Sequence, residues 1–118
     1  MSGDAYDVLQ RFWTIQDDGD YSQLVELFAE DAELVDPVFG TFSGREAIGA
    51  FMSKMNREMA KRGASFRLLE LAAEGETAWA QWEATTSAGI RHGVGVYRVR
   101  DGLLTYYRDY MNAPSPPA

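Results

Sequence analysis

The chain has no cysteine and a single histidine, His92, among its 118 residues. Without cysteine there is no disulfide framework, which is compatible with the cytosol, and a cytoplasmic location is the expectation. One histidine excludes a multi-histidine zinc site within one chain, and no motif of a carboxylate cation site is present, so no metal is expected. Basic residues are scarce too: 11 against 18 acidic ones, for a net charge of -7. That balance opposes binding to a phosphate backbone, which needs clustered Lys and Arg. The densest basic stretch, Lys54 to Arg67, is interrupted by Glu58 and reads as a solvated helix face. No apolar run approaches the ~20 residues of a membrane span. The first residues, Met1 to Tyr6, lack the basic-then-apolar pattern of a secretory signal. Neither nucleic acid nor a membrane is therefore an expected partner.

What is present is an ordinary globular composition, 46% hydrophobic and 25% charged, enough for one core or a small enclosed pocket. A single domain over residues 1–112 is expected, followed by a disordered Pro-rich tail, 113–118. Val8, Leu9, Phe12, Trp13 and Ile15 form an apolar helical stripe between about Asp4 and Asp17, stopped by Asp17-Asp18-Gly19. Asp20 and Gln23 form a capping pair for a short helix that turns Leu24, Val25, Leu27 and Phe28 inward. A strand ending at Asp36-Pro37-Val38 and a loop, Phe39 to Gly44, follow. Ser43-Gly44-Arg45-Glu46 matches a capping box for a long helix buried through Ala47, Ile48, Phe51, Met52, Met55 and Met59 and ended by Gly63. From Ser65 onward the pattern is strand–turn–strand: about 65–73, 77–88, 90–100 and 103–111, with Asp101-Gly102 a strong hairpin signal. Sequential hairpins imply antiparallel pairing, and the fold class is α+β, with the helices on one face of a curved sheet.

Asp36 stands out chemically. Period-two alternation puts it on one strand face with Leu34 and Val38, and Pro37 helps keep it extended. On a core-lining face it would be a buried acid with a raised pKa, as catalytic bases often have. The other reading is a structural acid that accepts backbone hydrogen bonds where Asp-Pro begins a turn.

The order of three helices with one early strand, then four antiparallel strands, resembles the cone-shaped fold of the nuclear transport factor 2-like (NTF2-like, cystatin-like) superfamily. The strings that carry the resemblance are Asp18-Gly19-Asp20, Leu27-Phe28-Ala29-Glu30-Asp31-Ala32, Asp36-Pro37-Val38, Phe42-Ser43-Gly44-Arg45-Glu46-Ala47-Ile48 and Tyr107-Arg108-Asp109-Tyr110. The resemblance covers essentially residues 4–112, and the strings are most similar to the branch of ketosteroid isomerases, SnoaL-type polyketide cyclases and limonene-epoxide hydrolases. Likeness to the isomerases implies that Asp36 moves a proton between carbon atoms. Phe12 and Gly95 stand where that family has its Tyr and Asp donors to the enolate. Likeness to the epoxide hydrolases matches Asp109, with Tyr107 in place of a Trp, Asp36 in place of an Asn and Leu34 in place of a Tyr. Trp82 and Ala84 replace the Arg and second Asp.

Neither standard mechanism is complete, but Asp36 and Asp109 are expected to face one cavity walled by Phe12, Leu34, Trp82, Gly95 and Tyr97. Paired carboxylates in apolar surroundings divide into an acid and a base. The expectation is a cofactor-free enzyme of the SnoaL or ketosteroid-isomerase type performing isomerisation, cyclisation or hydration on an apolar or aromatic small molecule. Asp36, Asp109 and Tyr107 would carry the chemistry, and Tyr97 or Tyr107 would donate to the oxyanion. The rival is a non-catalytic ligand-binding or assembly domain of the same fold. His92 is expected to point away from Gly93 and Gly95. Trp79, Gln81, Val94, Val96, Tyr106 and Tyr110 should project from the outer sheet face, too much apolar surface to leave in water, which implies a homodimer.

Overall fold

The computed structural model describes residues 3–18, 21–87 and 89–111. Among them lie three helices, α1 (Gly3–Asp18), α2 (Tyr21–Val25) and α3 (Arg45–Lys61). The strands are β1 (Phe28–Asp36), β2 (Gly40–Ser43), β3 (Ser65–Glu74), β4 (Thr77–Thr86), β5 (Gly89–Arg100) and β6 (Leu103–Met111). The strands form one sheet in the order β2-β1-β6-β5-β4-β3. Only β1 and β6 run parallel; every other neighbouring pair is antiparallel. The expected α+β architecture, helices on one face of a curved and mostly antiparallel sheet, is what the chain adopts.

The apolar stripe of α1 explains its seat. Ala5, Val8, Leu9, Phe12 and Trp13 are all buried, and they meet the inner residues of the long strands: Ala78, Ala80, Trp82 and Ala84 from β4, and Tyr97 and Val99 from β5. Small alanines on β4 let the helix approach the sheet closely. The long helix ends as its sequence dictates. Gly63, at φ 64°, carries the backbone into the left-handed region; its N–H donates to the Ala60 carbonyl and that of Ala64 to the Met59 carbonyl, the Schellman pattern. Asp101 and Gly102 both have positive φ, as a tight β5–β6 hairpin with the twist of its strands requires.

Four expectations need correction. Residues 40–43 are a strand, not a loop. Thr41 pairs with Val35 and Phe42 with Leu34, but the strand is short and mostly exposed, so no alternation of hydrophobicity marks it. The Ser43 capping box does not form. Ser43 is the last residue of β2 and Gly44 caps α3 without a side-chain bond; Gly44 N–H donates instead to the Ala32 carbonyl. Phe28 belongs to β1, because α2 stops at Val25. On α3 only Ile48 and Met52 are fully buried. The expected cap Asp20 and the tail from 113 fall outside the described residues.

Two features of β5 and β6 set up the interior. The β5–β6 register shifts between Arg98 and Val99, so Thr105 is an extra residue. This bulge changes the phase of β6: Leu104 and Tyr107 are both buried although three residues apart, and Asp109 follows Tyr107 onto the inner face. On β5, Gly93 and Gly95 are buried and bare. A Cβ at Gly93 would collide with the Trp82 indole, and one at Gly95 with the ring and hydroxyl of Tyr97. The aromatic side chains occupy the room the glycines leave. Gly93→Ala is therefore expected to lower stability by ~1–3 kcal/mol, the usual cost of overpacking, measured as a reduced urea midpoint with unchanged m-value.

Candidate active site

The register of the sheet assembles the site. Trp82 on β4 lies opposite Gly93 on β5; Gly95 lies opposite Asp109, and Tyr97 opposite Tyr107, on β6. Leu34 on β1 is level with Tyr107. From the helical side Phe12 closes the cluster, its ring 5.7 Å from that of Tyr107 and 6.0 Å from that of Tyr97. The Tyr97 and Tyr107 rings are 4.6 Å apart. All the residues expected to wall a pocket thus gather around Asp109, but close-packed against one another. The two open hollows described, of about 670 and 230 Å³, are lined by other residues: Val25, Glu30 and the start of α3 in one, Gln16, Met59 and Phe66 among those of the other.

Asp109 receives two hydrogen bonds. Tyr107 Oη donates to Oδ2 at 2.8 Å and Trp82 Nε1 to Oδ1 at 3.2 Å. As a residue it is half-buried, and protein surrounds the carboxyl densely enough for desolvation to dominate. Burial pushes its pKa up from 3.8 to about 7; the two donors oppose that rise and the negative charge of Asp36 adds to it. No cation is among the groups acting on it. Tyr107 titrates well above its ordinary value, first because it is buried and then because Asp109 is near. It stays a proton donor at any physiological pH.

Asp36 occupies a different setting. It is half-buried at the end of β1, and its Oδ1 accepts from the backbone N–H of Val38 at 2.8 Å and of Phe39 at 2.9 Å. This is the turn-holding arrangement that Asp-Pro favours, and Val38 is largely exposed beyond it. Of the two readings of Asp36, the structural one describes its bonds, while its charge still reaches Asp109. His92 points away from Gly93 and Gly95 and is exposed, its Nε2 3.3 Å from Glu83. The residue whose part the sequence did not disclose is Trp82. It reads as a pocket wall, but its indole N–H is one of the two donors to Asp109; the bare Gly93 beside it was the available signal. No group of three or more potential metal ligands occurs among the described residues, and no described helix is long and apolar enough to cross a membrane.

Residues 9–107 match the family of SnoaL-like domains. The chain belongs to that family. None of the curated proteins compared with it matches. Among solved structures it is similar to an NTF2-like protein of unknown function from Mesorhizobium loti, with 25% identity, TM-score 0.83 and coverage of 95% of this chain and 93% of that one. It is also similar to a candidate ketosteroid isomerase from Kribbella flavida, with 21% identity, TM-score 0.81 and coverage of 99% and 84%. A third likeness is to Bal32a from a soil-derived mobile gene cassette, with 20% identity, TM-score 0.78 and coverage of 93% and 90%. These place the chain in the NTF2-like superfamily, whose cystatin-like roll is the fold described above.

The pKa of Asp109 makes a signed prediction. A carboxyl raised from 3.8 to about 7 in the folded state holds its proton where the unfolded chain has lost it. Its contribution to stability is full below the unfolded value and is lost as pH rises through the window from about 4 to about 7. Asp109→Asn should flatten that part of the stability profile, and the gap between variant and wild type should widen in the variant's favour up to neutral pH. Parallel urea titrations across the window check this.

Proposed function

We propose that this SnoaL-like domain is a cofactor-independent enzyme that moves a proton on an apolar or aromatic small molecule, in an isomerisation, cyclisation or hydration, with Asp109 as the proton carrier. The observation that supports it is the carboxyl of a half-buried residue desolvated to a pKa of about 7 and held by two neutral donors. A group that titrates near the working pH serves as base and acid in turn. Tyr107 and Trp82 orient the two oxygens, and the Tyr107 hydroxyl, always protonated, steadies the carboxylate when the proton leaves. Asp36 acts on Asp109 through its charge. The structural likeness to the candidate ketosteroid isomerase from Kribbella flavida is consistent with proton-transfer chemistry on such a site.

Phe12 without a hydroxyl, Gly95 without a side chain and Trp82 in place of an Arg favour a second reading, a domain that binds an apolar ligand without turning it over. Exchange of carbon-bound protons of aromatic ketones in D₂O, followed by NMR, separates the two. Asp109→Asn is expected to abolish exchange. Asp36→Asn, whose amide oxygen can keep both turn bonds, is expected to retain it with the Asp109 midpoint moved below about 7. Ligand-induced thermal stabilisation with no exchange across a broad ketone panel would establish the binding reading.

The domain acts as a homodimer in this proposal, joined through the outer sheet face. Trp79, Val94 and Tyr110 are 42%, 38% and 51% exposed there, with Arg108 stacked 4.9 Å over the Tyr110 ring and Arg98 5.5 Å over Tyr106. Light scattering should give a dimer for the wild type and a monomer for Trp79→Glu; a monodisperse wild-type monomer at tens of micromolar would refute it.

A further inference from the structure

The indole of Trp82 is one of the two donors to Asp109, and little on its own strand or on β5 fixes its direction. Its neighbours along the inner face of β4 are Ala80 and Ala84, and directly opposite it on β5 is Gly93. A Cβ at Gly93 would run into the six-membered ring of the indole. That ring therefore lies over bare backbone, while the N–H reaches on to Asp109 at 3.2 Å. This is the long end of the range for such a bond. The second torsion of a tryptophan side chain is broad, so small neighbours leave the ring room to swing and the bond to lapse. A contact from the β3 side is what can hold it.

Phe66 supplies that contact. It stands on β3 opposite Ala84, diagonal to Trp82, which pairs with Leu68. Diagonal neighbours in a sheet are within reach of aromatic side chains. The Phe66 and Trp82 rings meet edge to face, 5.9 Å between centroids and 67° between planes, a favoured arrangement for an aromatic pair. Strand β3 is an edge of the sheet, so no further strand backs Phe66. The half-buried ring instead lines the hollow of about 230 Å³, with Gln16 and Asp17 of α1 and Asn56 and Met59 of α3. One aromatic side chain thus borders an open hollow and touches the donor to the carboxyl.

We propose that Phe66 is a positioning residue of this site: packed edge to face on Trp82, it keeps the indole over Gly93 and the N–H directed at Asp109. It acts through Trp82. The inference deepens the proposed function and rests on it only where activity is concerned. The titratable groups around Asp109 are Tyr107 on its own strand, Tyr97 on β5 and Asp36 on β1, and the charged residue of the hollow is Asp17 on α1. None lies on β3, so a substitution at Phe66 leaves them in place. The sign follows from the bond. The Trp82 donor holds the proton affinity of Asp109 down, so an indole that drifts lets it rise, provided the new side chain still excludes water.

The test titrates Asp109 by carboxyl NMR together with the Trp82 indole N–H resonance. In wild type both should follow one midpoint, at about 7. Phe66→Leu, still apolar, should raise the Asp109 midpoint by about half a unit, roughly a threefold gain in proton affinity and a part of what one hydrogen bond contributes. It should also shrink the pH response of the indole N–H. Phe66→Met should do the same, while Phe66→Tyr, which keeps the ring, should leave both readouts at wild-type values. With Trp82→Phe already in place, Phe66→Leu should move the midpoint no further. An unchanged midpoint in the Leu and Met variants, a fall, an equal rise in Phe66→Tyr, or a rise that persists without the indole would overturn the inference. Where proton exchange is observed, its pH midpoint should move with that of Asp109. A midpoint response with no exchange would sink the proposed function alone; exchange with no response to Phe66 would sink this inference alone.

Discussion

A carboxyl enclosed by aromatic rings, with two neutral donors and no cation, is the constraint on which this site depends. Desolvation of Asp109 outweighs the hydrogen bonds from Tyr107 and Trp82, and its pKa settles near neutrality. An arginine in contact would hold such a group as an anion, lowering its pKa by roughly 1–3 units. Neutral donors orient the carboxyl and stabilise its charged form only partly. The proton therefore stays exchangeable near neutral pH.

Sheet geometry supplies that environment. The bulge at Thr105 turns Tyr107 and Asp109 inward together on β6, and the bare Gly93 and Gly95 on β5 admit the Trp82 and Tyr97 rings. Side chains at either glycine would push aside a donor or its neighbour. Backbone features without chemistry of their own thus fix the positions of the groups that have it.

Much of this was legible in the sequence. The strongly periodic α1 and the last four strands, punctuated by Gly75 and Asp101-Gly102, announce themselves because hydrophobic period and turn chemistry agree. Leu34, Trp82, Tyr97, Tyr107 and Asp109 follow onto one face from alternation and the family resemblance. Strand β2 was not legible: four residues with little buried surface leave no period to read. Nor was the failure of the Ser43 capping box, since Ser43 is already paired with Glu33 in the sheet and unavailable to the helix. The partition between Asp36 and Asp109 lay out of reach for a similar reason. Both are acids at strand positions facing inward, and only the Pro37 turn decides that Asp36 spends one oxygen on Val38 and Phe39.

That partition also explains how two carboxylates can share one end of the fold without one cancelling the other. Asp36 is tied to the backbone N–H groups of Val38 and Phe39, and its negative charge acts on Asp109. Asp109 lacks backbone donors among its bonds, so that charge adds to desolvation and raises its proton affinity further. At the middle-strand position where the resemblance to epoxide hydrolases implies an Arg, this chain has Trp82. Replacing a cation by an indole N–H keeps a donor to the carboxyl but withdraws the positive charge. The same scaffold position then leaves Asp109 with a pKa of about 7 where a cation would have held it as an anion.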